Sequence, residues 1–143
     1  GLSVALDEKF AAVGAPSLKS PKNNPVYVFD AKDGNHLYTL ESPANEEHLE
    51  VFGSSLAIDG RYLVVGAEGV WDEPFVEYPG RAYVYDLEAD KLVKTLTSNN
   101  DHSDLFGASV AIKGSTILVG APWDSERGPH SGAVYVYKIE QNM

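Results

Sequence analysis

Cysteine is missing from all 143 residues of the chain, and its absence excludes three kinds of chemistry. Disulfide bonds, zinc–thiolate centres and catalytic thiols all need cysteine side chains. Long apolar runs are missing too, since none approaches the roughly 20 consecutive residues of a membrane-spanning helix. We therefore expect no membrane insertion from this segment.

Basic residues are scarce. Lysine and arginine together number 11 against 21 acidic residues, which gives a formal net charge of −10 at pH 7. This sign disfavours the phosphate backbone of a nucleic acid and an anionic membrane surface as partners. It suits a soluble surface protein or one that gathers cations, so we predict no nucleic-acid partner.

What the sequence does contain is one pattern written three times. Each copy has a strand of the form Ser-x-Ala-x, then a Gly-Ala step, and then an aromatic strand of the form Tyr-Val-Phe or Tyr-Val-Tyr. The glycines of these steps, Gly14, Gly66 and Gly120, recur about every 50 residues, a period typical of β-propeller blades. We predict an all-β fold: a β-propeller segment of about three four-stranded antiparallel blades, the last incomplete, at approximately residues 1–41, 52–98 and 106–140.

The second repeat is complete and predicts the plan of one blade. Alternating or continuous apolar residues indicate strands at 54–58, 61–67, 81–86 and 92–97. Asp59-Gly60 between the first two strands favours a type I′ hairpin turn. A polar loop at 68–80, rich in glycine and proline, joins the second strand to the third. No helix is predicted.

Several repeated residues are interpreted as structural. Glycine is disfavoured inside a strand, so the glycines of the Gly-Ala steps indicate close approach of a neighbouring group. The serine that opens each repeat is expected to have a structural role because it recurs in all three copies. The alternating tyrosines of the aromatic strands indicate core and cross-blade packing; they are Tyr27, Tyr83, Tyr85, Tyr135 and Tyr137.

Two Phe-Gly pairs complete a recognisable motif. Phe52-Gly53 opens the second repeat and Phe106-Gly107 the third, and the third continues with Gly120-Ala121-Pro122. In this order the motifs resemble the FG-GAP repeat, a family that includes the β-propeller of integrin α-subunits. The resemblance implies a binding or adhesion module of an extracellular or cell-surface protein. It also implies a propeller, commonly seven-bladed, of which this chain would be a fraction.

An arc of three blades leaves two open ends. Closed propellers take about four to eight blades, and exposed sheet edges need cover. The expected partners are therefore the remaining blades of a longer chain or further copies of this one, together with a protein or glycan ligand. Two alternatives stay open: a homo-oligomeric propeller lectin, and the non-catalytic part of a propeller enzyme.

Calcium cannot be carried over from the resemblance. Many FG-GAP repeats place an Asp-x-Asp-x-Asp-Gly calcium loop between their first two strands. Here the equivalent turns are Asp7-Glu8-Lys9, Asp59-Gly60 and Lys113-Gly114, too short to supply six to eight oxygen ligands. No cofactor is firmly indicated. A calcium site elsewhere would use Asp101, Asp104 and Asp124, against the alternative that Asp104 caps a turn, as Glu50 could at the same place in the second repeat.

The long loops are the predicted binding surface. In a four-stranded meander the connections between strands two and three, and between blades, share one end of the strands. Loop tryptophans there can stack on a sugar or anchor a protein partner, against the alternative of packing over a blade edge. The candidate ligand-binding residues are Trp71, Asp72, Asp101, His102, Trp123 and Asp124.

Catalysis finds little support in the sequence. The segment around Ser109 is not a nucleophile elbow, and its serine recurs at Ser3 and Ser55. No carboxylate pair stands out in a chain this acidic, and no glycine-rich phosphate loop opens a helix. We expect a binding module and not an enzyme.

Overall fold

The computed structural model describes residues 2–16, 24–44, 49–72, 76–98 and 104–140, and the side chains of 71, 72 and 76 are not described. Within this part of the chain there are thirteen strands and no helix. Eleven strands form three blades. The first blade has β1 (Ser3–Leu6), β2 (Phe10–Gly14), β3 (Val26–Asp30) and β4 (His36–Leu40). The second has β5 (Glu50–Asp59), β6 (Tyr62–Gly69), β9 (Arg81–Asp86) and β10 (Lys91–Leu96), and the other two strands, β7 (Trp71–Asp72) and β8 (Val76–Glu77), lie between β6 and β9 in the chain. The third has β11 (Ser109–Lys113), β12 (Thr116–Ala121) and β13 (Ala133–Lys138).

Each blade is an antiparallel meander in which every strand pairs with its neighbour along the chain. The sheet orders are β1-β2-β3-β4, β5-β6-β9-β10 and β11-β12-β13. The predicted all-β propeller segment with an incomplete third blade is therefore confirmed. The described residues include no helix with the length and apolarity that crossing a membrane requires.

The strand registers give every blade two distinct faces, because successive side chains alternate across a sheet. We call the face that carries the repeated serine the forward face and the opposite one the rear face. In the first blade the paired positions place six residues on the forward face: Ser3, Ala5, Ala12, Gly14, Val26 and Val28. The forward face of one blade packs on the rear face of the next.

Two hydrophobic cores lie between the blades. One joins the forward face of the first blade to the rear face of the second, where Leu63, Val65 and Tyr83 are buried. The other joins the forward face of the second blade, through Val64 and others, to the rear face of the third. Leu63, Val64 and Val65 are all fully buried, which is the outcome expected for a continuous apolar strand covered on both sides.

A repeated joint links consecutive blades. The Ser3 hydroxyl donates to the Gly53 carbonyl oxygen at 2.6 Å, and the Ser55 hydroxyl donates to that of Gly107 at 2.8 Å. A Cβ added to Gly66 would collide with the Gly107 carbonyl oxygen, so only glycine lets this backbone approach. The structural interpretation of the repeated serine and glycine is confirmed at these junctions.

The Phe-Gly pair of the second blade lies inside a strand, not before it. β5 begins at Glu50, and its pairing with β6 is interrupted by a bulge between Phe52 and Ser55. Gly53 sits in that bulge with φ of +84°, a conformation that glycine adopts without steric cost. The bulge turns the Gly53 carbonyl toward the preceding blade.

Two local predictions were wrong. Asp59 pairs with Tyr62, so the turn residues are Gly60 and Arg61, and of these only Gly60 has positive φ. That pattern is typical of a type II′ turn and not of type I′. The predicted loop at 68–80 contains a small hairpin of β7 (Trp71–Asp72) and β8 (Val76–Glu77). β6 extends further than predicted because its last residues pair with the early start of β5.

Candidate functional site

The long connections lie together at one end of the strands, and we call this end the long-loop face. It carries the loop at 122–132 between β12 and β13 and the hairpin of β7 and β8. Trp71 and Asp72 form β7 and pair with Glu77 and Val76. Two of the predicted ligand-binding residues, Asp101 and His102, lie outside the described residues.

Asp124 organises the loop at 122–132 from the inside. The side chain is buried, and its carboxylate accepts hydrogen bonds from the Tyr135 hydroxyl at 2.6 Å and the Glu126 backbone N–H at 3.0 Å. Its own carbonyl oxygen accepts the Gly132 N–H at 2.9 Å. The loop is thus fixed to β13 and closed on itself through Asp124.

Trp123 is the exposed aromatic residue of this loop. The residue is 43% exposed. Its ring contacts the His130 imidazole edge-on, and the two ring centroids are 5.6 Å apart. The backbone below is ordered, since the Trp123 N–H donates to the Asp104 carbonyl oxygen at 3.0 Å and the His130 N–H to the Ser125 hydroxyl at 3.0 Å. Trp123 is therefore not a residue of the blade core.

Asp104 caps the turn that precedes the third Phe-Gly pair. It is buried, and its carboxylate accepts the Phe106 N–H at 3.0 Å, as the capping alternative predicted. Glu50, at the same place in the second repeat, uses its carboxylate differently: it accepts hydrogen bonds from the Tyr83 hydroxyl at 2.7 Å and the Ser42 hydroxyl at 2.6 Å.

The structure brings Asp104 and Asp124 to the same neighbourhood. Burial raises the pKa of the Tyr135 hydroxyl, the hydrogen bond and charge of Asp124 raise it further, and the charge of Asp104 adds to them. Among the residues that the structure describes, no three acidic or histidine side chains are grouped to hold a metal ion. The calcium prediction for Asp101, Asp104 and Asp124 stays a prediction, because Asp101 lies outside those residues.

The middle blade repeats the pairing of a buried carboxylate with a tyrosine. Tyr83 and Tyr135 occupy equivalent places, opposite Val65 and Val119 of their neighbouring strands. The carboxylates, however, come from different parts of the repeat: Glu50 opens its blade, whereas Asp124 follows a Gly-Ala-Pro step. Sequence reasoning missed both pairs, and their only signal is the shared register of the two tyrosines.

Glu50 should make stability depend on pH. Burial raises the pKa of its carboxyl above the ordinary range, so the folded state holds the proton more tightly than the unfolded state. The free energy of unfolding should then fall as pH rises from the ordinary glutamate pKa through the raised one. We expect Glu50→Gln to flatten this fall, because an amide does not titrate in this pH range, and its oxygen can still accept the hydroxyls of Ser42 and Tyr83.

The alanine variant tests the hydrogen bonds of Glu50 and not its ionisation. Glu50→Ala removes the acceptor of the buried Tyr83 hydroxyl and should cost roughly 1–3 kcal/mol at neutral pH. Urea unfolding at about pH 4.5 and about pH 7 measures both effects, with Glu41→Gln, an exposed carboxyl, as the control. An unchanged pH slope in Glu50→Gln, or a neutral Glu50→Ala, would contradict the prediction.

Comparison with known protein families gives one match. The FG-GAP repeat model matches residues 43–85 and 91–137, which together make up more than half of the chain. The chain belongs to the FG-GAP repeat family. The resemblance drawn from Phe52-Gly53, Phe106-Gly107 and Gly120-Ala121-Pro122 is thereby confirmed, and the matched residues run through the strands from β5 to β13. No curated protein was found to match this FG-GAP segment.

Proposed function

We propose that this FG-GAP segment is a non-catalytic binding or adhesion module of a secreted or cell-surface protein. It presents its long-loop face to a protein or glycan ligand. The observation that carries the proposal is Trp123, an indole with 43% of its surface exposed on a loop whose backbone is fixed by hydrogen bonds.

The construction of that loop suits recognition. An exposed tryptophan offers a large apolar face and one N–H donor, the combination that sugar stacking and protein anchors use. Asp124 fixes the loop to β13 through Tyr135 at 2.6 Å, so ordering the loop costs little on binding. The formal charge of −10 favours neutral or basic partners over anionic ones.

The polar groups of the blade joints support a non-catalytic role. The Ser3 and Ser55 hydroxyls are hydrogen-bonded to the backbone of the next blade, and the buried Glu50 carboxylate is held by Ser42 and Tyr83. A serine nucleophile needs a base as the acceptor of its hydroxyl proton, and here the acceptors are backbone carbonyl oxygens, which cannot take that proton. Catalytic turnover by these blades, alone or within a longer chain, would contradict this part of the proposal.

Trp123→Ala should weaken ligand binding by about tenfold or more, the loss typical of an aromatic anchor. The purified chain and the variant would be compared on an immobilised glycan array and on intact cells. Trp123→Phe keeps an aromatic face and should retain part of the binding, whereas Leu37→Ala, exposed on the outer strand of the first blade, should retain all of it.

Stability separates a binding role from a core role. A half-exposed indole should cost little on removal, so the thermal midpoint of Trp123→Ala should stay close to that of the unchanged chain. A loss of about 3–5 kcal/mol, the value for a buried large side chain, would contradict the assignment. So would equal binding by Trp123→Ala and the unchanged chain, or the absence of binding to every glycan and cell tested.

A further inference from the structure

Two exposed aromatic rings meet at an angle in the loop at 122–132. Trp123 and His130 are both exposed. Their ring centroids are 5.6 Å apart and their planes are inclined by 73°. The indole offers a flat apolar surface, and the imidazole beside it carries nitrogens that donate and accept hydrogen bonds. We call this pair of rings the aromatic corner.

The backbone of the loop holds the imidazole at the corner. The His130 N–H donates to the Ser125 hydroxyl at 3.0 Å, and that hydroxyl donates to the Trp123 carbonyl oxygen at 3.3 Å. His130 has φ of +51°, a left-handed conformation that glycine adopts more easily than any other residue. Residues held in such conformations are concentrated at ligand-binding sites. The strained histidine therefore indicates a use for its side chain.

The surroundings of the corner favour a sugar over a protein as the ligand. Apart from Leu2, which precedes β1, the other large apolar side chains that are exposed among the described residues lie on strands. Around the two rings the exposed residues of the loop are polar except for two prolines; the polar ones are Ser125, Glu126, Arg127 and Ser131. A protein anchor is surrounded by further contacts that exclude water. One apolar surface with a few polar groups is the arrangement of a small-ligand site.

A pyranose ring has the chemistry that this corner can bind. One face of the ring presents C–H groups, which stack on the negative face of an indole. Its hydroxyls project from the edge, where an imidazole inclined by 73° to the indole can hydrogen-bond to one of them. The formal charge of −10 disfavours carboxylated and sulfated sugars. The corner is therefore suited to a neutral sugar.

We propose that the aromatic corner binds one neutral pyranose ring of a glycan, which stacks on Trp123 while His130 hydrogen-bonds to one of its hydroxyls. This inference rests on the binding role proposed above for the long-loop face, and it narrows the ligand to a neutral glycan. His130 then determines which sugar is preferred, because a fixed hydrogen-bonding group discriminates against a sugar that lacks the matching hydroxyl.

NMR titration of the purified chain with methyl glycosides tests the proposal. The neutral probes are methyl β-glucoside, methyl β-galactoside and methyl α-mannoside, and methyl β-glucuronide is the anionic comparison. At least one neutral probe should shift the indole N–H signal of Trp123, which Trp123→Phe identifies, and the imidazole C–H signals of His130. The glucuronide should bind more weakly than the neutral probe that binds best.

Substitutions at His130 test its hydrogen bond. His130→Gly should weaken binding of the best neutral probe by about twofold to tenfold, the loss typical of one hydrogen bond. The monodeoxy analogue that lacks the contacted hydroxyl should bind the unchanged chain more weakly by a similar factor. It should bind His130→Gly as well as the parent glycoside does, because the two changes remove the same contact. His130→Asn still donates and accepts, and it should retain part of the binding.

Asp90 provides a matched control for the backbone. It is exposed and has φ of +50° in the turn between β9 and β10, at the other end of the strands. Neither Asp90→Gly nor His130→Gly should lower the thermal midpoint, because glycine adopts this conformation without steric cost. Only His130→Gly should weaken binding of the glycoside.

Binding to intact cells separates this proposal from the broader one. If a glycan is the ligand, treatment of the cells with glycosidases should remove binding. Binding that survives glycosidases and is lost after trypsin, with no shift by any neutral glycoside, would overturn the glycan assignment and leave the binding role of Trp123 standing. Glycoside binding that Trp123→Ala weakens and His130→Gly does not would overturn the role of His130. No binding to any cell or glycoside would overturn both proposals.

Discussion

Replacing Phe106 with alanine should lower the free energy of unfolding by about 3–5 kcal/mol. The ring is fully buried in the core between the second and third blades. It meets the ring of Tyr135 edge-on at 5.3 Å and that of Tyr137 at 6.4 Å. Alanine would leave a cavity at this junction, because the flanking strands are hydrogen-bonded and cannot collapse into it.

Chemical denaturation of the two proteins measures the effect. Phe106→Leu is the matched control, because it keeps an apolar side chain in the same space and should cost less than the alanine variant. A loss below about 1 kcal/mol for Phe106→Ala would mean that the Phe-Gly aromatic is not the anchor of the junction.

Gly66→Ala should be costly while the same change at Gly120 should be nearly neutral. A Cβ on Gly66 would collide with the Gly107 carbonyl oxygen of the next blade and with the Ser55 hydroxyl. Backbone cannot move aside cheaply, so the expected loss is about 1–3 kcal/mol or more. At Gly120 the Cβ meets only the Ser109 side chain at close range, and no blade covers that face among the described residues.

The pair of variants is its own control, since both glycines have the same place in the repeat and neither has positive φ. Thermal unfolding of the two variants and of the unchanged chain measures the difference. Equal destabilisation of the two variants would mean that the glycine is needed within the blade and not for the approach of its neighbour.

Sequence could predict the blades because their strands are encoded locally. Aromatic residues alternate with other residues around Tyr83, which is typical of a strand with two different faces. The continuous apolar run Leu63, Val64 and Val65 is typical of a strand that is buried on both faces. The recurrence of Ser55 and Gly66 in every copy indicated a joint, although the partner, a carbonyl of the next Phe-Gly pair, emerged only from the structure. Repetition separates structural residues from functional ones even where no single motif does.

Other features were beyond sequence because their partners are far apart in the chain. Tyr83 and Tyr135 take their carboxylates from Glu50 and Asp124, which stand at different places in the repeat, so no shared spacing announces them. The type II′ turn at Gly60 depends on a register set by the strand pairing. The ligand-binding role predicted for Asp124 stays a prediction, and the structure adds the hydrogen bonds that its buried carboxylate accepts from the Tyr135 hydroxyl and the Glu126 N–H.

The blades stack face to face through the Phe-Gly joint, so that among the described residues only the middle blade is covered on both sides. Native-state amide hydrogen exchange tests this most directly. The amides of β6 and β9 should exchange slowest and together, at the rate of global unfolding, while those of β12 and β13 exchange faster. Exchange in β6 and β9 that is as fast as in β12 and β13 would contradict the stacked arrangement.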